Sequence, residues 1–164
     1  MNDRLKGAER IGQSLKDRKE TVAVAETSAG GLLLATLLGV AGASAWVVGG
    51  VVPYSNEARV ALLGPSALAE GSVVDEVAAL ALARAVRVRL GADWGIGESG
   101  IAGPQQGRRS AKPAGMICLA VVGPTIERTR TVVLEDLGRR ANMQAFAREG
   151  LQLLEECLGK SLAR

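Results

Sequence analysis

Thr21-Val22-Ala23-Val24-Ala25-Glu26-Thr27-Ser28-Ala29-Gly30-Gly31-Leu32-Leu33-Leu34-Ala35-Thr36-Leu37-Leu38 is the stretch that decides the fold class. Its first five residues are apolar or β-branched throughout, the pattern of a strand buried on both faces. Charge and hydroxyls interrupt it at Glu26-Thr27-Ser28. The run from Ala29 to Leu38 then reads as a helix, with Thr27 or Ser28 as its N-cap. A strand handing over to a helix across a polar, glycine-bearing turn is half of a βαβ unit. Reading upstream, residues 3–18 are helical, with Leu5, Ala8, Ile11 and Leu15 near one face. Downstream, 46–53 is a strand closed by Pro53, and 55–63 is a short helix capped by Ser55 or Asn56. Residues 74–90 form a long Ala/Val/Leu helix, and 94–98 a strand. A loop runs from Ser99 to Pro113. Strands at 115–122 and 127–134 are joined by a short Gly-Pro turn, so that pair is antiparallel, and 139–158 closes the chain as a helix. The expectation is one domain, 1–164, of class α/β: a three-layer α/β/α sandwich, its sheet mostly parallel with an antiparallel edge strand.

Composition narrows the chemistry. The 164 residues include no histidine, which excludes Ser-His triads, Cys-His dyads and His-ligated zinc. Aromatic residues are 2%, so the core is built from Ala, Val and Leu, and there are no stacking platforms for single-stranded nucleic acid. Lys+Arg 20 against Asp+Glu 17 is a mild, dispersed excess, and no nucleic-acid partner is expected. Cys118 and Cys157 lie in apolar stretches outside any motif and read as buried thiols. No metal or cofactor is expected. The charged start, Met1-Asn2-Asp3-Arg4, has no apolar run, which points to a cytoplasmic protein. Thr27 to Asn56 carries no charge, but six glycines interrupt it and its second half is short and β-branched. It reads as a buried helix and strand, with no membrane span.

In open α/β sheets, ligands bind beyond the carboxyl ends of the strands. Three polar clusters fall there: Glu26-Thr27-Ser28-Ala29-Gly30-Gly31, Tyr54-Ser55-Asn56-Glu57-Ala58-Arg59, and Glu98-Ser99-Gly100-Ile101-Ala102-Gly103-Pro104. The first offers two hydroxyls and, at a helix start, backbone N–H groups suited to a phosphate or an oxyanion. It also serves as an ordinary capped turn. The second can supply a phenol, an amide and a cation; its plain alternative is capping, with Arg59 on a solvated helix face. The third continues through Arg108, Arg109 and Lys112, cations able to hold a phosphate or simply to solvate a loop.

In this order and spacing the clusters resemble the C-terminal domain family of the competence/damage-inducible protein CinA, which includes stand-alone nicotinamide-nucleotide amidases. The matching residues are Ala25-Glu26-Thr27-Ser28-Ala29-Gly30-Gly31-Leu32, Gly42-Ala43-Ser44, and Tyr54-Ser55-Asn56 with Leu62-Leu63-Gly64. They continue as Gly71-Ser72-Val73-Val74-Asp75-Glu76-Val77-Ala78, Ala92-Asp93, Ser99-Gly100-Ile101-Ala102-Gly103-Pro104 and Lys112-Pro113-Ala114-Gly115. The resemblance runs from about residue 8 to 158. It implies hydrolysis of the carboxamide of nicotinamide mononucleotide to nicotinate mononucleotide and ammonia, without metal or cofactor, in a homodimer. The family's nucleophilic serine, assisting tyrosine and lysine fall on Thr27, Tyr54 and Arg59, with Ser28 offering a neighbouring hydroxyl. Glu26, Gly30, Gly31, Asn56, Ser99, Gly100, Gly103, Arg108 and Lys112 are the expected substrate-binding residues.

Two of the three catalytic positions depart from the family. Thr27 keeps a hydroxyl on a stiffer side chain. Arg59 stays protonated where a desolvated lysine could act as a base. The remaining candidates for the base are Tyr54, Glu26 or a water, with the oxyanion held by backbone N–H groups around Gly30 and Gly31 or in the Gly100–Gly103 loop. Because a missing general base costs about 10²–10⁴-fold in rate, a slow amidase is expected. The alternative is a pyridine-nucleotide-binding or regulatory protein without the chemistry.

Overall fold

The computed structural model describes residues 3–105 and 111–161. The elements follow the chain as α1 (Asp3–Arg18), β1 (Val22–Glu26), α2 (Leu32–Leu38), β2 (Val47–Val51), α3 (Asn56–Leu63), α4 (Glu76–Leu90), β3 (Trp94–Gly100), β4 (Met116–Val122), β5 (Glu127–Val133) and α5 (Arg139–Ser161). The uncharged stretch 27–56 becomes α2, a 3₁₀ turn at Ala43–Ala45 and β2. No helix among the described residues is long and apolar enough to cross a membrane.

The five strands form one sheet in the order β2-β1-β3-β4-β5. β1 pairs in parallel with β2 and β3, while the β3–β4 and β4–β5 ladders are antiparallel. The edge strand β5 is thus antiparallel to its neighbour, as expected. The strand whose direction is reversed, however, is β4, one place inside the edge. The long connection between Gly100 and Met116 returns the chain as β4 running backwards, and the short turn between Val122 and Glu127 restores the common direction in β5.

Alternation along the strands separates two faces. Val22, Val24, Ile96, Ile117, Leu119 and Val121 pack with α1, α2 and α5 around Trp46, Trp94 and Phe146. Ala23 and Ala25 face α4 and the Pro65–Ala67 turn, and Cys118, Ala120 and Val122 face Ala79 and Ala83 of α4. The second face is made of small residues because α4 lies almost on the backbone. A Cβ on Gly97 would sit 1.9 Å from the Ala79 carbonyl oxygen, and one on Gly95 2.2 Å from that of Ala83. Close helix–strand approach therefore leaves room for nothing larger than glycine at both positions. Cys118 and Cys157 are both buried.

The chain leaves β1 for β2 on one side and then crosses to β3 on the other side of β1. That reversal opens a crevice beyond the carboxyl ends of β1 and β3, the usual ligand position in such sheets.

Candidate functional site

A cleft of about 720 Å³ occupies this crevice. Thr27 and Ser28 from the β1 end, Ser99 and Gly100 from β3, and Arg59 from α3 line its floor. Tyr54, the 71–74 loop, Gly103 and Arg139 line its walls. Seven of the residues singled out above therefore meet here: Thr27, Ser28, Tyr54, Arg59, Ser99, Gly100 and Gly103.

The floor is organised by two carboxylates that are register partners on adjacent parallel strands, Glu26 and Glu98. Both are buried. Glu26 accepts hydrogen bonds from the backbone N–H groups of Leu33 at 3.1 Å and Leu34 at 2.9 Å. It thereby caps α2, whose N-cap residue is Gly31 at φ 96°, a conformation glycine tolerates and one with no side chain to cap with. Neither Thr27 nor Ser28 caps this helix, contrary to the expected N-cap: their turn is committed to Glu98 instead. Burial raises the Glu26 carboxyl above its ordinary range, against the pull of the α2 amides.

Glu98 is wholly buried. Its Oε2 accepts from the N–H groups of Thr27 and Ala29, both at 2.9 Å, and its Oε1 accepts from the Ser28 hydroxyl. Two amides and a hydroxyl of the turn after β1 thus form an anion-binding concavity. The anion in it is the protein's own carboxylate. Burial raises Glu98 from 4.5 to about 7, opposed by the hydrogen bonds of Ser28, Ala29 and Thr27 and reinforced by the nearby Glu26 charge. Gly100 makes room for this arrangement: a Cβ there would lie 2.8 Å from Ser28 Oγ. Thr27 Oγ1 donates to the main-chain carbonyl of Glu98 at 3.2 Å.

Ser55 caps α3 by accepting from the Ala58 N–H at 3.1 Å, and so aims the helix across the crevice. Arg59, one turn on, is 3% exposed, which excludes the plain alternative of a solvated helix face. Its Nη2 donates to Ser99 Oγ at 3.5 Å, and Ser99 Oγ donates in turn to the Val73 carbonyl at 2.6 Å. Its Nε has no hydrogen-bond partner among the described residues. Burial lowers the Arg59 pKa, and the Glu98 charge offsets part of that. A guanidinium is nonetheless a cation at neutral pH.

The other expected residues are placed differently. Gly30 N–H donates to the Thr27 carbonyl at 3.2 Å, and the Gly31 amide is drawn to Glu26, so neither points a donor into the cleft. Asn56 is exposed on the first turn of α3 and does not line the cleft. Lys112 Nζ donates to Ser72 Oγ at 2.9 Å and to the Val74 carbonyl, tying the loop before β4 to the 71–74 wall. Arg108 lies outside the described residues. Tyr54, 62% exposed, stands at the rim, where its hydroxyl accepts from Arg139 Nη2 at 3.1 Å. Arg139 Nη1 also donates to the Gly103 carbonyl at 2.7 Å.

Sequence reasoning placed Glu98 in the third polar cluster without giving it a role, and missed Arg139 altogether. Glu98 had a signal, being the one charge in an otherwise apolar strand that ends beside a glycine loop. Arg139 had none, since it opens a helix 85 residues after Tyr54.

The architecture and sequence have close parallels. The chain is similar to the competence/damage inducible protein CihA of Agrobacterium tumefaciens, with a TM-score of 0.87, 31% identity and 97% of each chain covered. It is also similar to a competence-damaged protein (CinA) superfamily protein of Klebsiella pneumoniae, with a TM-score of 0.88, 27% identity, and 97% of this chain and 99% of that one covered. Among curated relatives, a CinA-like protein of Synechococcus sp. is 41% identical over 117 residues, 70% of this chain and 28% of that protein. A CinA-like protein of Desulfosudis oleivorans is 37% identical over 150 residues, 90% of this chain and 36% of that protein. The chain thus spans roughly a third of the length of these two curated relatives. The family model of the CinA C-terminal domain matches residues 5–158, and together with the shared fold this places the chain in the CinA C-terminal domain family.

Proposed function

We propose that this chain is an amidohydrolase that cleaves the carboxamide of nicotinamide mononucleotide, releasing ammonia and nicotinate mononucleotide. The observation that carries the reading is the meeting, in one crevice, of two hydroxyls from Thr27 and Ser28 with a buried guanidinium whose Nε has no hydrogen-bond partner among the described residues. Acyl transfer needs a hydroxyl nucleophile and a positive group where the carbonyl oxygen gains charge. A cleft of about 720 Å³ is within the size range of small-molecule sites, and Arg139 and Tyr54 at its rim suit a phosphorylated ribose. Family membership supports the same class of role.

The test is ammonia release from nicotinamide mononucleotide by the purified protein, compared with a Thr27→Ala/Ser28→Ala double variant. Release that vanishes in the variant is the expected result; release that persists refutes the site. The second reading, binding without hydrolysis, is favoured by Arg59 standing where the family has a lysine. It would show as calorimetric binding of the nucleotide with no ammonia produced.

A further inference from the structure

We propose that the working pair of this cleft is Ser28 and Glu98, with Ser28 as nucleophile and Glu98 as its proton acceptor. This inference rests on the amidohydrolase reading and goes beyond it, because the resemblance assigns the nucleophile to Thr27 and gives no role to position 98.

The geometry separates the two hydroxyls. Thr27 Oγ1 donates to a main-chain carbonyl, which cannot take its proton. Ser28 Oγ donates to a carboxylate oxygen, which can. The carboxylate is held for that purpose. Two N–H groups at 2.9 Å fix Oε2, leaving Oε1 directed at Ser28. The rival bases are otherwise engaged. Glu26 is held by the α2 amides of Leu33 and Leu34, and the Ser28 hydroxyl donates to Glu98 rather than to it. Tyr54 accepts from Arg139 at the rim. Arg59 cannot accept a proton. Lys112 is bound to Ser72 and Val74. Burial raises the Glu98 carboxyl to about 7, the range in which a general base works best. The charged groups facing it are Glu26 from β1, which adds a smaller rise, and Arg59 from α3.

In the first half-reaction the Ser28 proton passes to Glu98 as Oγ bonds to the carboxamide carbon, and the carbonyl electron pair moves onto oxygen. Collapse breaks the C–N bond, and Glu98 returns the proton to the departing ammonia. In the second half, water loses a proton to Glu98 and attacks the acyl carbon. The C–Oγ bond breaks, and Ser28 regains its proton from Glu98. The products are a carboxylic acid, ionised at neutral pH, and ammonia.

Four proteins test this: wild type, Ser28→Ala, Thr27→Ala and Glu98→Gln. The glutamine keeps an oxygen for the Thr27 and Ala29 amides, and thermal melting checks that each variant folds. Two readouts are taken: ammonia release from nicotinamide mononucleotide, and labelling by a fluorophosphonate, with the adduct located by mass spectrometry. The proposal expects the label on Ser28, with wild-type labelling rising with pH around a midpoint of about 7. It expects loss of release in Ser28→Ala, a loss of about 10²–10⁴-fold in Glu98→Gln, and less than about tenfold in Thr27→Ala. A label on Thr27, no label on Ser28, or labelling indifferent to pH and to Glu98→Gln would overturn it. Glu98-dependent labelling of Ser28 in a wild type that leaves the nucleotide intact would sink the substrate reading alone.

Discussion

Glu26 and Glu98 stand opposite each other at the ends of adjacent parallel strands, on the same face, each buried and each raised in pKa. By composition and register they are twins. Their surroundings differ by a few residues of chain. Glu26 meets the first turn of α2, whose orphan N–H groups occupy it. Glu98 meets the hand-over turn, which presents two amides and one hydroxyl. The first carboxylate is spent on structure. The second is bound to a hydroxyl that opens onto a cleft. A buried charge thus becomes a chemical group only when one of its partners can itself react.

That difference can be broken experimentally. The largest separation is expected in activity: Glu98→Gln should lower the rate of ammonia release by about 10²–10⁴-fold, while Glu26→Gln should lower it by less than about tenfold. Equal losses would mean the two carboxylates act as one unit.

The next effect is on stability against pH. Glu98 binds its proton more tightly folded than unfolded, so below pH 4.5 its contribution to stability is fully present. It is lost as pH rises to about 7. A rise of that size corresponds to about 3 kcal/mol at roughly 1.4 kcal/mol per pH unit. Urea midpoints taken between pH 4.5 and 8 should fall more steeply for wild type than for Glu98→Gln. Parallel curves would contradict the burial argument. Glu26, also raised, adds a slope of the same sign.

Third, Glu26→Ala leaves the Leu33 and Leu34 amides without their acceptor and should destabilise the fold by about 1–3 kcal/mol in urea unfolding, with activity of the folded protein retained. The smallest effect is expected at the rim. Tyr54→Phe removes one exposed hydrogen bond to Arg139 and should change KM by less than about fivefold, with kcat untouched. A large kcat loss there would move the proton acceptor from Glu98 to Tyr54.

Much of this was legible in the chain. Val22 to Ala25, Trp94 to Gly97 and Ile117 to Val122 read as buried strands because apolar and β-branched residues run continuously in them. Ser55 was readable as a cap because the hydroxyl and the N–H it serves are three residues apart. The cap of α2 was not. Its acceptor, Glu26, lies six residues before the first helical residue, Leu32, and the obvious hydroxyls are drawn to Glu98, 70 residues away from Ser28. Arg59 looked solvated because its helix is short and polar at its start. Only the packing of α3 over the crevice buries it.

Local spacing determined the elements, the Ser55 cap and the gathering of polar residues at strand ends, since these depend on neighbours within a turn of helix or a strand pair. The order β2-β1-β3-β4-β5, the inward reversal of β4, and the choice of Glu98 over Glu26 as the partner of Ser28 were decided by tertiary structure. The physical reason is that these depend on pairings between segments far apart in sequence: the β1–β3 ladder sets Glu26 beside Glu98 and so brings the turn after β1 to the Glu98 carboxylate, while Gly95 and Gly97 let α4 lie close on β3.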